Sequence, residues 1–158
     1  MECEKAGAQR TACFPCDLTN SAAIAKLVVA IEETFGRPVD TFVHSAGDLM
    51  IGRLEDIPLA AAENCFSVNV MAAIALVQAV IPGMKAVGAG QIALLTSGAA
   101  IWGVPGYAVY SATKAALKRI GESLRVELQP HGITVSLVSP GPVDTPMFQT
   151  PRIYGDNP

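Results

Sequence analysis

Tyr110 and Lys114 are the two residues of this sequence whose types and spacing best suit proton transfer. They lie four positions apart in the segment YSATK, and side chains four apart share one face of a helix. An ammonium beside a phenol favours the phenolate, so we expect Lys114 to lower the pKa of Tyr110 from its usual value of about 10. Ser97 ends an apolar run upstream, and open α/β sheets bind ligands beyond the carboxyl ends of their strands. Together these residues predict a general acid–base site at a sheet edge.

Strands and helices that would position these residues alternate along the chain. Thr19 or Asn20 can cap a helix that Gly36 ends, and Asp56 with Pro58 starts a second helix. The apolar run around Ser97 predicts a strand buried on both faces. The predicted order is strand 12–17, helix 19–36, strand 39–45, helix 58–83, strand 91–97, helix 107–128 and strand 133–138, with residues 145–158 as loop.

This alternation predicts an α/β fold with right-handed crossovers and a parallel sheet. With 158 residues, the chain has the length of one domain. We therefore expect residues 1–158 to form a single, three-layer αβα, doubly wound domain.

Composition excludes several classes of function. The charge of −3 comes without any basic block, which argues against nucleic-acid binding. The longest unbroken apolar run, 70–77, has eight residues, far fewer than the roughly 20 needed to span a bilayer. The acidic, polar N-terminus does not resemble a secretory signal. We therefore expect a cytoplasmic protein with reduced cysteines.

The cysteine pair Cys13 and Cys16 has C-x-x-C spacing, which suits redox or zinc chemistry. The pair precedes a helix instead of starting it, and the sequence offers no further ligands at zinc spacing. Buried thiols in the core are the favoured interpretation, and no metal site is predicted.

Several motifs in the same order resemble those of the short-chain dehydrogenase/reductase family, over about residues 12–147. Ser97, Tyr110 and Lys114 match three members of its catalytic tetrad, and Asn69 matches the fourth. The segment HSAG at 44–47 stands where the family usually has NNAG. The segment SPGPVDT at 139–145 matches its nicotinamide loop, and Asp17 matches the acidic residue that follows its third strand.

The resemblance implies an NAD(P)-dependent oxidoreductase that interconverts an alcohol and a carbonyl compound. Tyr110 would exchange a proton with the substrate oxygen, Ser97 would hold that oxygen, Lys114 would bind ribose, and Asn69 would connect Lys114 to solvent through water. The residues implied to contact the cofactor, either NAD or NADP, are Asp17, Leu18, His44, Ala46, Gly47, Tyr110, Lys114, Pro140, Gly141, Val143 and Thr145.

The glycine-rich motif that cradles the pyrophosphate in this family does not occur among the 14 glycines. Set against the family, the sheet is incomplete, so that strand 39–45 would be an exposed edge. The last family strand and the substrate loop would be missing as well. Losing two hydrogen bonds to a charged group costs roughly 3–6 kcal/mol, or about 10²–10⁴ in cofactor affinity. We therefore expect weak cofactor capture by this chain alone.

Two other functions stay open at this level. The chain could be a catalytically silent fragment whose long helices, 58–83 and 107–128, mediate association as a homodimer or tetramer, as the corresponding family helices do. Ser111 and Lys114 also fit the S-x-x-K motif of acylating serine enzymes, although the partner motifs of that class are absent from the sequence.

Overall fold

The structure, a computed structural model, describes residues 2–155. A three-stranded parallel sheet of order β1-β3-β4 lies at its centre, and a separate parallel pair joins β2 to β5. The strands are β1 (Thr41–His44), β2 (Met50–Gly52), β3 (Gly90–Leu95), β4 (Ile133–Val138) and β5 (Arg152–Tyr154). The helices are α1 (Glu2–Lys5), α2 (Ser21–Phe35), α3 (Leu59–Phe66), α4 (Ala72–Val87), α5 (Ala108–Leu128) and α6 (Pro146–Gln149). The predicted α/β class with a parallel sheet is confirmed.

Local signals in the sequence set the ends of α2. The Oδ1 atom of Asn20 accepts a hydrogen bond from the Ala23 amide at 3.1 Å, which satisfies one of the free donors of the first turn. Gly36 ends the helix with φ +68°, a left-handed conformation that suits glycine, and its amide donates to the Glu32 carbonyl at 2.8 Å. The predicted bounds of this helix are confirmed.

The helices pack on one face of the central sheet. Ile92 and Leu94 of β3 are fully buried in one cluster with residues of α2 and α4, and Gly121 lets α5 approach Leu94 and Leu137. Alternate strand positions are exposed; they are Thr41, Val43, Gln91, Thr134, Ser136 and Val138. The expectation that strand 91–97 is buried on both faces is therefore wrong, because burial alternates along β3.

Helix α4 continues α3 through a π-helical turn at Ser67–Met71. The combined helix Leu59–Val87 is the one described segment long and apolar enough to cross a membrane by length and composition. Its buried residues include Ala72, Ala73 and Leu76, which pack inside this domain. Packing in the core therefore explains much of the apolar character of the combined helix.

Three local predictions are wrong. Residues 12–17 form no strand because they have no sheet partner, and Pro15 supplies no amide donor. Within this segment Cys13 is exposed, whereas Cys16 packs against the core. Asp56 ends a short 3-10 turn and caps nothing, since α3 begins at Leu59 after Pro58 without a side-chain cap. The tail predicted as loop contains α6 and β5, and β5 pairs with β2.

Candidate active site

The candidate site is a cavity at the carboxyl edge of the central sheet, lined by two of the four predicted catalytic residues. Its volume is about 420 Å³. Ser97 follows β3 and Tyr110 lies in the first turn of α5, and both line the cavity. The segment after β4 forms another wall, so three consecutive parts of the fold converge on one space.

Burial controls the pKa of Tyr110. Desolvation raises this pKa above its ordinary value, while a hydrogen bond with the Ser97 side chain acts in the opposite direction. The Lys114 amine lies 5.7 Å from the centre of the Tyr110 ring. The expectation that Lys114 lowers the pKa of Tyr110 is therefore wrong in this structure. The raised pKa keeps the phenol protonated, which is the state that can donate a proton to a carbonyl oxygen.

Lys114 is buried beneath the cavity. Its Nζ atom donates a hydrogen bond to the Leu95 carbonyl at the end of β3, at 3.0 Å, which holds α5 against the strand. Only 5% of the residue is exposed, and burial lowers the pKa of its amine. A Cβ atom added at Gly47 would lie 3.5 Å from this amine, so Gly47 forms the neighbouring surface.

Asn69 is fully buried in the π-helical turn, a feature that often occurs at functional sites. Its Oδ1 atom accepts from the Asp48 amide at 2.6 Å, and its Nδ2 atom donates to the Asp48 carbonyl at 3.0 Å and to Thr113 Oγ1 at 2.9 Å. Thr113 in turn donates to the Tyr110 carbonyl at 2.7 Å. The side chain thus joins the loop after β1 to the helix that carries Tyr110 and Lys114.

His44 lies at the end of β1 and is 2% exposed. Burial lowers its pKa to about 4, the charge of Lys114 acts in the same direction, and a hydrogen bond with the Asn69 backbone opposes both. Its Nε2 atom has no hydrogen-bond partner in the described part of the chain. His44 is therefore a neutral imidazole in the wall behind Lys114.

The residues that the resemblance assigns to the cofactor fall into two places. Pro140, Gly141, Val143 and Thr145 line the main cavity. Gly47 borders Lys114, and Ala46 precedes it.

The remaining pair, Asp17 and Leu18, lies apart from this cavity. Asp17 is exposed and accepts two hydrogen bonds from Thr19, which lower the pKa of its carboxyl. Leu18 lines a second, smaller cavity of about 220 Å³ beside α2 and α4.

Several cavity residues were missed by the sequence interpretation, among them four with large side chains. Trp102 and Tyr107 come from the loop between β3 and α5, and Met147 and Phe148 belong to α6. The loop is unusually apolar for a surface connection, and this composition could have marked Trp102 and Tyr107 as candidate cavity residues. No local signal marks α6, because its role depends on the fold returning the tail to the cavity.

Ser111, the nucleophile of the alternative acylating function, does not line the cavity. Its hydroxyl is buried and has no partner within residues 2–155, and the Lys114 amine donates to Leu95 instead. A serine nucleophile needs a base within hydrogen-bond reach and access to substrate. The geometry supplies neither.

Comparison with known proteins gives the family. The model of the short chain dehydrogenase family matches residues 1–153. The chain belongs to this family.

Among curated relatives, human retinol dehydrogenase 8 is 38% identical over 135 residues, which are 81% of this chain and 43% of that protein. Bovine 3-ketodihydrosphingosine reductase is 31% identical over 86% of this chain and 41% of its own length. The chain thus spans less than half the length of these two relatives.

Solved structures agree on the Rossmann-like fold. A short-chain dehydrogenase from Streptomyces avermitilis superposes with a TM-score of 0.89 at 29% identity, covering 99% of this chain and 58% of its own. A metagenomic short-chain oxidoreductase in complex with NADP gives 0.82 at 34% identity, over 90% and 64%. An NAD+-bound xylitol dehydrogenase gives 0.77 at 28% identity, over 81% and 49%.

Proposed function

We propose that this chain carries the acid–base half of an NAD(P)-dependent oxidoreductase that interconverts an alcohol and a carbonyl compound. The observation that carries the proposal is the convergence of Ser97 and Tyr110 on one cavity, with Lys114 5.7 Å from the Tyr110 ring. The names of the two relatives agree with this chemistry, since one is a dehydrogenase of retinol and the other a reductase of a keto compound.

In the direction of reduction, Tyr110 donates its phenolic proton to the substrate oxygen, where the electron pair of the carbonyl π bond forms the new O–H bond. The new C–H bond takes its electron pair from the hydride. Ser97 donates a hydrogen bond to the same oxygen and stabilises the charge that develops there. After the transfer Tyr110 is left as a phenolate, with the Lys114 amine 5.7 Å from the centre of its ring. In oxidation, the phenolate takes the proton from the alcohol.

The residues present fit the nicotinamide half of a cofactor. A Cβ atom at Gly47 would make ordinary contacts with the side chains of Lys114, Met147 and Asn69. The segment that contains Pro140, Gly141 and Val143 borders the cavity next to Tyr110. A bound nicotinamide supplies or accepts the hydride. For the pyrophosphate half, the sequence contains no glycine-rich motif, so we propose weak binding of NAD or NADP by this chain alone. Micromolar binding of either dinucleotide in calorimetry contradicts that part of the proposal.

The experiment that tests the catalytic role compares two tyrosines of the same cavity. Tyr107 and Tyr110 have ring centres 6.2 Å apart and both line the space. At millimolar reduced cofactor with a panel of ketones, we expect Tyr110→Phe to lower the rate of cofactor oxidation about 10²–10⁴-fold, because general acid catalysis is lost. Tyr107→Phe should retain the rate. Equal rates in all three proteins contradict the proposal.

A silent chain that only associates through helices 58–83 and 107–128 receives less support. Ala72, Ala73 and Leu76 of the first helix are buried within the domain. They therefore need no second chain to cover them.

A further inference from the structure

We propose that the cavity accepts an uncharged, largely apolar alcohol or ketone, and rejects substrates that carry a carboxylate or phosphate beyond the reacting carbon. This inference rests on the proposed function, because it names the substrate class of the same cavity.

Among residues 2–155, no charged side chain contributes to the walls of the cavity. Every residue that lines it within the described chain is apolar, a glycine, a hydroxyl-bearing residue or an aromatic residue. An anionic group placed there would leave water without gaining a cationic partner, which is strongly unfavourable. An apolar group would gain contacts and release water from both walls.

Charged groups near the cavity are engaged elsewhere. The Lys114 amine is buried and donates to the Leu95 carbonyl. The Arg152 guanidinium is paired with Asp48, and the Asp144 carboxylate accepts from Gln149 at 2.7 Å. None of these four residues lines the cavity, so an anionic substrate would find no cation in its walls.

Polarity also changes along the cavity. The hydroxyls of Ser97 and Tyr110 belong to half-buried residues, whereas Trp102 and Phe148 are apolar and more than half exposed. A ketone with its oxygen at the hydroxyls would therefore place its hydrocarbon portion against apolar side chains. The cavity volume of about 420 Å³ is within the usual range for small-molecule sites, about 300–1,000 Å³.

Trp102 provides a direct readout, since it is the single tryptophan of the sequence and lines the cavity. We would titrate the full chain, without cofactor, with undecan-2-one and with 10-oxoundecanoate, which matches its chain length but ends in a carboxylate. The ketone should shift Trp102 emission to shorter wavelength in a saturable manner. We expect the keto acid to require a concentration at least about tenfold higher. Equal or tighter binding of the keto acid, or no response to either probe, overturns the inference.

Two exposed positions give a matched pair of variants. Phe148→Arg places a cation in the cavity wall and should shift the preference toward the keto acid by about tenfold, whereas Val126→Arg, on an exposed part of α5 away from the cavity, should leave it unchanged. An unchanged preference in Phe148→Arg contradicts the inference, provided that circular dichroism shows both variants folded.

The two proposals fail separately in this design. Tyr110→Phe should retain the binding selectivity. Selective binding without turnover by the unmodified chain would remove the proposed function and leave the substrate class. Faster turnover of the keto acid than of the ketone would leave the proposed function and remove the proposed substrate class.

Discussion

The two faces of the central sheet differ in what covers them. On one face, Ile92 and Leu94 are buried beneath helices α2, α4 and α5. On the other, Gln91, Thr134 and Ser136 are exposed to solvent, as are Val43 and Val138. The elements of the covered face also carry Asn69, Tyr110 and Lys114, of which Tyr110 lines the cavity. The acid–base site is therefore built on the covered face of the sheet, and its geometry depends little on the residues of the open face.

The largest expected effect is a difference in core packing between the two faces. Leu94→Ala removes a side chain that is 0% exposed, and we expect it to lower the free energy of unfolding by about 4 kcal/mol. Val138→Ala, at a position 44% exposed on the open face, should cost less than about 1 kcal/mol. Urea denaturation followed by circular dichroism measures both. Similar costs would show that something covers the open face in solution.

The next effect concerns the hydrogen-bond network of Asn69. Asn69→Ala leaves the amide and carbonyl of Asp48 and the hydroxyl of Thr113 without this partner, and we expect a loss of about 3 kcal/mol in unfolding free energy. Asn64→Ala, which removes a single bond of 3.4 Å to Asp48, should cost less than about 1 kcal/mol. Equal losses in denaturant titrations would mean that the network does not link the loop to α5.

A pH effect follows from His44, whose folded pKa of about 4 lies below the ordinary value of 6.5. Between these two pH values His44 is protonated in the unfolded chain but neutral in the folded chain. The folded state is therefore destabilised as the pH falls from 6.5 toward 4. Between about pH 7.5 and about pH 5 we expect the free energy of unfolding to fall by about 2 kcal/mol from this residue.

The histidine variants separate this contribution from the other titrating groups. His44→Asn should remove this part of the pH dependence, while His131→Asn, at an exposed position, should retain it. Parallel pH profiles for all three proteins would contradict a buried, neutral His44.

The smallest effect lies in the C-terminal segment that completes the cavity. Arg152 pairs with Asp48 and is 44% exposed in its side chain, so Arg152→Met should lower unfolding free energy by less than about 1 kcal/mol. Thermal melts measure the change. A loss as large as that of Asn69→Ala would mean that β5 is a core element and not a surface strand.

The sequence alone was sufficient to predict the elements whose structure is set by local signals. Asn20 and Gly36 bounded α2, and the apolar run 133–138 formed β4. The spacing of Tyr110 and Lys114 placed the amine 5.7 Å from the centre of the ring. In each case the determinant is a cap, a periodicity or a helix turn within a few residues.

The sequence alone was insufficient to predict the features that depend on contacts between residues far apart in the chain. Residues 12–17 have strand-like composition but no neighbouring strand, and β3 alternates in burial because helices cover one face only. The pKa of Tyr110 depends on burial by distant segments, which outweighs the effect expected from Lys114. Pairing of β5 with β2 and the entry of α6 into the cavity wall are likewise set by the fold as a whole.

The most direct measurement follows the hydrogen atom that the proposed reaction transfers. The chain would be incubated with undecan-2-one and millimolar nicotinamide cofactor deuterated at the transferring position, and the alcohol product analysed by mass spectrometry. We predict one deuterium on the carbinol carbon, with a yield that falls steeply in Tyr110→Phe and persists in Tyr107→Phe. Product without deuterium, or an equal yield from Tyr110→Phe, would contradict a hydride-transfer site served by Tyr110.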